Sequence, residues 1–173
     1  MNKLLPIVAL LALAGCGSFS PKEIAKGVKL ENPSRYPQTV TVKVESFTEK
    51  SNYTINIEPK PVREAVVSVI KEKHIFRDVT ADGDYVLSAA MRRVDRRSSG
   101  FTAKFNAIVD WSLTPRGSGQ KIWQERVATE ESANMGDAWG GAKRINLAMC
   151  WTFSRNIETA LQRLEESHVL DKP

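Results

Sequence analysis

The residues of this chain that could do chemistry are few and widely spaced. It has two cysteines, Cys16 and Cys150, and two histidines, His74 and His168. Neither histidine has a Cys, Asp or Glu beside it at metal-ligand spacing. The sequence holds no HExxH, GxSxG, GxGxxG or phosphate-binding Gly-rich lysine motif. Gly117-Ser118-Gly119 lacks the strand-to-helix context that would expose a nucleophilic serine, and Glu130-Glu131 and Glu165-Glu166 are adjacent pairs of the kind that mark solvated faces. The expectation is a chain with no catalytic residues, no metal and no cofactor.

Cys16 stands apart because of what precedes it. Lys3 gives a positive start, residues 4–14 are apolar apart from Pro6, and Leu13-Ala14-Gly15 leads into the cysteine. A charged start, a short apolar run and small residues make a secretory signal over residues 1–15. The run is too short to span a bilayer. The segment resembles a bacterial lipobox. That resemblance implies a diacylglycerol on the Cys16 sulfur, cleavage before Cys16 and stable anchoring through several acyl chains. Cys150 then has no partner in the chain and reads as a small apolar residue within a helical pattern. Gly17 rather than Asp follows Cys16, which by the same resemblance implies the outer membrane, with the body facing the periplasm. Residues 16–38, with Pro21, Pro33 and Pro37, read as the lipidated cysteine and a flexible tether.

The rest is enough chain for one domain with a proper core, expected over residues 39–166 with a tail at 167–173. Val40, Val42 and Val44 alternate with polar residues, as in a half-buried strand, and Tyr53, Ile55 and Ile57 suggest a short extended segment. Pro61 suits a first helical turn, and Val62, Ala65, Val66, Val69 and Ile70 follow at helical spacing. Asp82-Gly83 marks a turn. Strands are expected over residues 84–95, then from Phe101 through Ala103, Phe105, Ala107, Val109 and Trp111 to Leu113, and back over residues 121–129. From residue 142 the period turns helical, with Met149, Phe153, Ile157, Ala160, Leu161 and Leu164 on one stripe. The fold class is α+β: an antiparallel sheet of about four strands with two helices on one face, in the order strand, helix, meander, helix.

Three features suggest a binding surface. The modest net charge of +5 gathers at Arg92, Arg93, Arg96 and Arg97, which could be a solvated hairpin end or a contact for an anionic glycan or lipid. Trp139, with Met135 nearby, sits in a glycine-bearing loop, where it either caps the core or touches membrane or a partner. Trp151 lies off the apolar stripe, so either the last helix is buried on a wide arc or that face packs on another copy of the chain.

Ala81-Asp82-Gly83-Asp84-Tyr85-Val86-Leu87, Ile122-Trp123, and Arg155-Asn156-Ile157 with Leu161 and Leu164 are similar to segments of envelope lipoproteins whose domain resembles the amino-terminal domain of TolB. These include YajG-type lipoproteins, auxiliary lipoproteins of ABC transport and the lipoprotein ring of the Pel exporter. The lipopolysaccharide-assembly lipoprotein has a similar order of elements. The resemblance implies a non-enzymatic binding or assembly role in transport or biogenesis of an envelope component. Partners would be the membrane through the N-terminal lipid and an envelope protein. A second copy of the chain and an anionic glycan or lipid stay open, and nucleic acid is excluded.

Overall fold

The valines that open the domain form a strand, but it lies inside the sheet and runs parallel to both neighbours. The computed structural model describes residues 19–46 and 54–171, so the signal segment, Cys16 and Tyr53 lie outside the described residues. In chain order the elements are α1 (Pro21–Gly27), β1 (Tyr36–Ser46), α2 (Pro59–Lys73), β2 (Phe76–Val79), β3 (Tyr85–Ser99), β4 (Thr102–Pro115), β5 (Trp123–Ala133) and α3 (Gly141–Glu166). The sheet order is β2-β1-β3-β4-β5.

The α+β class holds, with five strands and three helices among the described residues rather than about four and two. The expectation of an antiparallel sheet is corrected. β3, β4 and β5 form the antiparallel meander, but β1 pairs in parallel with β2 and with β3. The crossover through α2 brings the chain back in its original direction, as helical connections do. β2 escapes sequence reading because it has four residues and only Phe76 is buried, too few to show a period.

Between β2 and β3 the chain crosses β1. A Cβ on Gly83 would lie 2.4 Å from the Val40 carbonyl carbon, so the crossing needs glycine for close approach. Around it, Thr39 donates its N–H and hydroxyl to the Asp84 carboxylate at 2.7 and 2.8 Å. Arg116 donates to the Gly83 carbonyl at 2.7 Å and to the Ala81 carbonyl at 2.8 Å. The Ala81–Leu87 segment singled out in the sequence is therefore a structural crossing.

The expectation of a flexible tether is corrected from Phe19 onward. Ser20 caps α1 by accepting from the Glu23 N–H at 3.3 Å, and Pro21 opens its first turn. Ile24, Ala25, Val28 and Leu30 are buried. The segment then follows α3 in parallel. The Ser154 hydroxyl donates to the Ile24 carbonyl at 2.6 Å, the Lys29 N–H to Glu158 at 2.7 Å, and the Ser34 N–H to Glu165 at 3.0 Å. Residues 167–171 are not a free tail either, because Leu170 is buried.

Among the described residues, α2 packs over β1 and β2, α3 packs over β4 and β5, and α1 packs against both of these helices. The sheet on one side and α1 on another bury α3 over a wide arc, reaching Cys150, Ser154 and Glu158. Trp151 is half-buried on the flank of that arc, against this chain's own core. In the centre, Asn156 accepts from the Trp111 indole at 2.9 Å and donates to the Val127 carbonyl and Thr129 hydroxyl at 3.1 Å each. A buried amide needs such partners, and these fix the register of α3 on the meander.

Candidate functional surface

The arginine run is divided by the strand that carries it. A bulge between Met91 and Arg93 shifts the alternation of β3, which extends to Ser99 and so includes all four arginines. Arg92 donates to Asp110 at 2.7 Å, and Arg126 donates to the same carboxylate at 2.7 and 3.0 Å. The Arg126 hydrogen bonds above all, and that of Arg92 against a burial cost, pull the Asp110 pKa down to about 2. Arg93 donates to Asp95 at 2.6 Å, and the Thr54 hydroxyl donates to the other Asp95 oxygen at 3.2 Å. Asp95 is buried, so this pair is part of the fold. Arg96 and Arg97 continue to the exposed end of β3. On the sheet face away from the helices, Arg93, Arg97, Lys104, Asp95 and Glu130 line a cavity of about 280 Å³. Its charge is mixed, and Lys104 is paired to Glu130 at 2.8 Å.

The β3–β4 turn, the end of β5 and the start of α3 share one end of the molecule. Ser99 pairs with Thr102 around Gly100, whose φ is +56°, and Ala103 pairs with Ala133. Along α3, Thr152 bonds the Phe105 carbonyl, Asn156 bonds Trp111, and Arg163 meets Glu125, so its N-terminus points to this hairpin end. Two large aromatics stand out here: Trp139 is 85% exposed and Phe101 is 68% exposed. Trp139 therefore does not cap the core. Phe101, expected as the first residue of its strand, lies in the turn just before β4 begins at Thr102 and is exposed. Met135 is half-buried.

Sequence reasoning missed Arg144, which looks like a solvated position off the apolar stripe. It is buried and donates to the carbonyls of Ala138 and Trp139 at 2.9 and 2.7 Å. Asp137 accepts from the Asn134 N–H at 2.8 Å, and Asn134 accepts from the Gly136 N–H at 2.8 Å. The loop thus holds its own backbone and presents the indole outward.

The remaining chemistry-bearing residues are dispersed. His74 closes α2 in a left-handed conformation with φ of 54° and borders an open cleft with Glu31, Arg35, Glu72 and Lys73. His168 contacts Asp171 at 2.9 Å on the exposed chain end. Cys150 is buried, and that burial raises its thiol pKa. Among the described residues no group of three or more His, Cys, Asp or Glu could hold a metal ion, and no helix is long and apolar enough to cross a membrane.

No family model matches the sequence, and no curated protein matches it. Solved structures do match its fold. Protein XCC0632 from Xanthomonas campestris, of family DUF330, superposes with a TM-score of 0.60 at 12% identity, covering 83% of this chain and 94% of that one. Hypothetical protein CT253 from Chlamydia trachomatis gives 0.54 at 10% identity, covering 78% and 99%. A PelC dodecamer from Paraburkholderia phytofirmans gives 0.48 at 15% identity over 77% and 89%, too distant a superposition to argue from. At these identities the likeness is one of fold, and function has to be argued from the surface.

Proposed function

We propose that this chain is a lipid-anchored, non-enzymatic accessory protein of the bacterial envelope, serving assembly or transport of an envelope component. Cys16 would carry the lipid and hold the protein at the outer membrane, with the domain in the periplasm. The observation that carries the reading is Leu13-Ala14-Gly15-Cys16 followed almost at once by a folded body that begins at Phe19. The sequence likeness to lipoproteins with a TolB-amino-terminal-like domain agrees with it. So does a surface whose distinctive groups are exposed aromatics and arginines.

The test is affinity capture of the full-length protein from crosslinked envelopes, with Cys16→Ala as control. Intact mass should show acyl chains on Cys16, and an envelope complex should be recovered that the control weakens. An unmodified Cys16, or capture of the chain alone with unchanged envelope integrity in a deletion strain, would overturn the reading. An anionic glycan-binding role is the second reading. Arg92 and Arg93 are held by Asp110 and Asp95, and the test is made at Arg96 and Arg97, which are exposed toward the end of β3. Binding of an acidic glycan should then weaken steeply with salt and be lost in Arg96→Glu/Arg97→Glu.

A further inference from the structure

The course of the chain before α1 shows which way the domain faces its anchor. Traced backward, the segment from Ser34 to Ser20 runs along α3 from Glu165 through Glu158 and Ser154 to Cys150, heading for the hairpin end. At its start the Phe19 ring packs on Phe153 with centroids 5.6 Å apart, which fixes the point of entry. Between Phe19 and Cys16 stand Gly17 and Ser18 alone. Three trans peptide links reach at most about 11 Å. Any lipid on Cys16 is therefore held within that reach of Phe19, and residues 20–34, traced backward, run toward the hairpin end.

That side has the chemistry of a membrane-contacting surface. Trp139 and Phe101 are exposed, and so are Arg96 and Arg97 near the end of β3 and Lys143 in the first turn of α3. Indole rings favour the headgroup level of a bilayer, and arginines and lysines are drawn to anionic headgroups. Glu130 bonds Lys104, and Asp137 accepts from the Asn134 N–H. The Arg144 hydrogen bonds hold the Trp139 backbone in place, so the indole is presented on a rigid support.

We propose that this hairpin end, with Trp139, Phe101, Arg96, Arg97 and Lys143, rests on the headgroups of the bilayer that holds Cys16. The inference depends on the lipid-anchor reading above and adds an orientation and a contact surface to it. The uncovered sheet face would then stand roughly upright from the membrane, with the β4–β5 turn as the distal pole.

The experiment uses full-length protein purified from membranes and reconstituted in phosphatidylethanolamine–phosphatidylglycerol vesicles with brominated acyl chains, which quench nearby indoles. The wild type should lose a component of tryptophan emission that Trp139→Phe does not. Phe101→Trp in the Trp139→Phe background should restore the loss, and Ser118→Trp, at the β4–β5 turn, should not. Equal quenching of wild type and Trp139→Phe in an acylated protein that floats with the vesicles would overturn the orientation and leave the anchor reading intact. So would quenching of Ser118→Trp alone, or capture of this end by an envelope protein that shields Trp139 from the lipid. A chain without acyl mass that does not float would bring down the anchor reading, and this inference with it.

Discussion

At the residue scale, Gly83 and Asp110 are placed by opposite physics. Gly83 has no freedom to gain a side chain, because a methyl group there meets the backbone of β1 at 2.4 Å and a backbone cannot swing aside. Gly83→Ala must part the crossing loop from β1 and disturb the Arg116 and Thr39 hydrogen bonds around it. We expect a cost of about 2 kcal/mol or more, read as a lowered urea midpoint. A midpoint shift near zero would mean that the crossing is looser than its hydrogen bonds indicate. Asp110 works through charge. Its folded pKa of about 2 lies below the ordinary 3.8, so its contribution is complete above pH 4 and is lost as pH falls from there toward 2. Asp110→Asn should lower stability at pH 7 by on the order of 1 kcal/mol, since the arginines it joins are partly exposed. It should also flatten the fall in stability between about pH 4 and pH 2, followed by thermal unfolding across that range. An unchanged acid slope would assign that slope to other carboxylates, among them Asp84, whose pKa the Thr39 hydrogen bonds also lower.

At the scale of elements, α1 is the piece whose role differs most from expectation. Ile24 is fully buried between α2 and α3, and Gly27 lies against Ser154, where a Cβ would come within 2.3 Å of the hydroxyl oxygen. Ile24→Ala should therefore cost about 2–4 kcal/mol in equilibrium unfolding, as a cavity in a packed core does. A free tether would show no change. The reason α1 was not legible is its length. Seven residues carry two buried positions, too few for a helical period, and the prolines and serines around it have the composition of a linker. The long elements were legible because burial repeats along them: the inward side of β4 from Ala103 to Leu113, the α2 stripe from Val62 to Ile70, and the α3 stripe from Met149 to Leu164. Parallel pairing of β1 was hidden, since alternation along one strand carries no information about the direction of its neighbours. The surface was legible by half. Trp139 was recognisable because an aromatic in a glycine-bearing loop has little around it to bury it. Arg144 was not, since its partners are carbonyls, which leave no mark in a sequence. Phe101 was misplaced because its apolar character continues the alternation of β4 one residue back into the β3–β4 turn, where the chain reverses.

At the scale of the molecule, the folded α1 segment would, on the proposed lipid anchor, leave a short leash in place of a long one, and that has a measurable consequence. With Gly17 and Ser18 alone between Cys16 and Phe19, a domain anchored through Cys16 would keep Phe19 close to the bilayer, and in the proposed orientation its hairpin end as well. Proximity of Trp139 to lipid then owes as much to this short link as to the affinity of the surface itself. The two contributions separate if the link is lengthened. An insertion of about sixteen Gly and Ser residues after Ser18 has a root-mean-square span of about 22 Å, enough to release the domain to rotate and stand away. Brominated-lipid quenching of Trp139 should fall in this variant while its membrane-bound share stays that of the wild type, because the acyl chains still hold it. Raising the salt should reduce the quenching that remains, through screening of Arg96, Arg97 and Lys143. Full quenching despite the insertion would mean that the hairpin end grips the bilayer unaided. In that case Cys16→Ala should still float with anionic vesicles at low salt, and Trp139→Phe should release it. A membrane-bound share that drops with the insertion would show instead that the short link, and not the acyl chains, governs attachment.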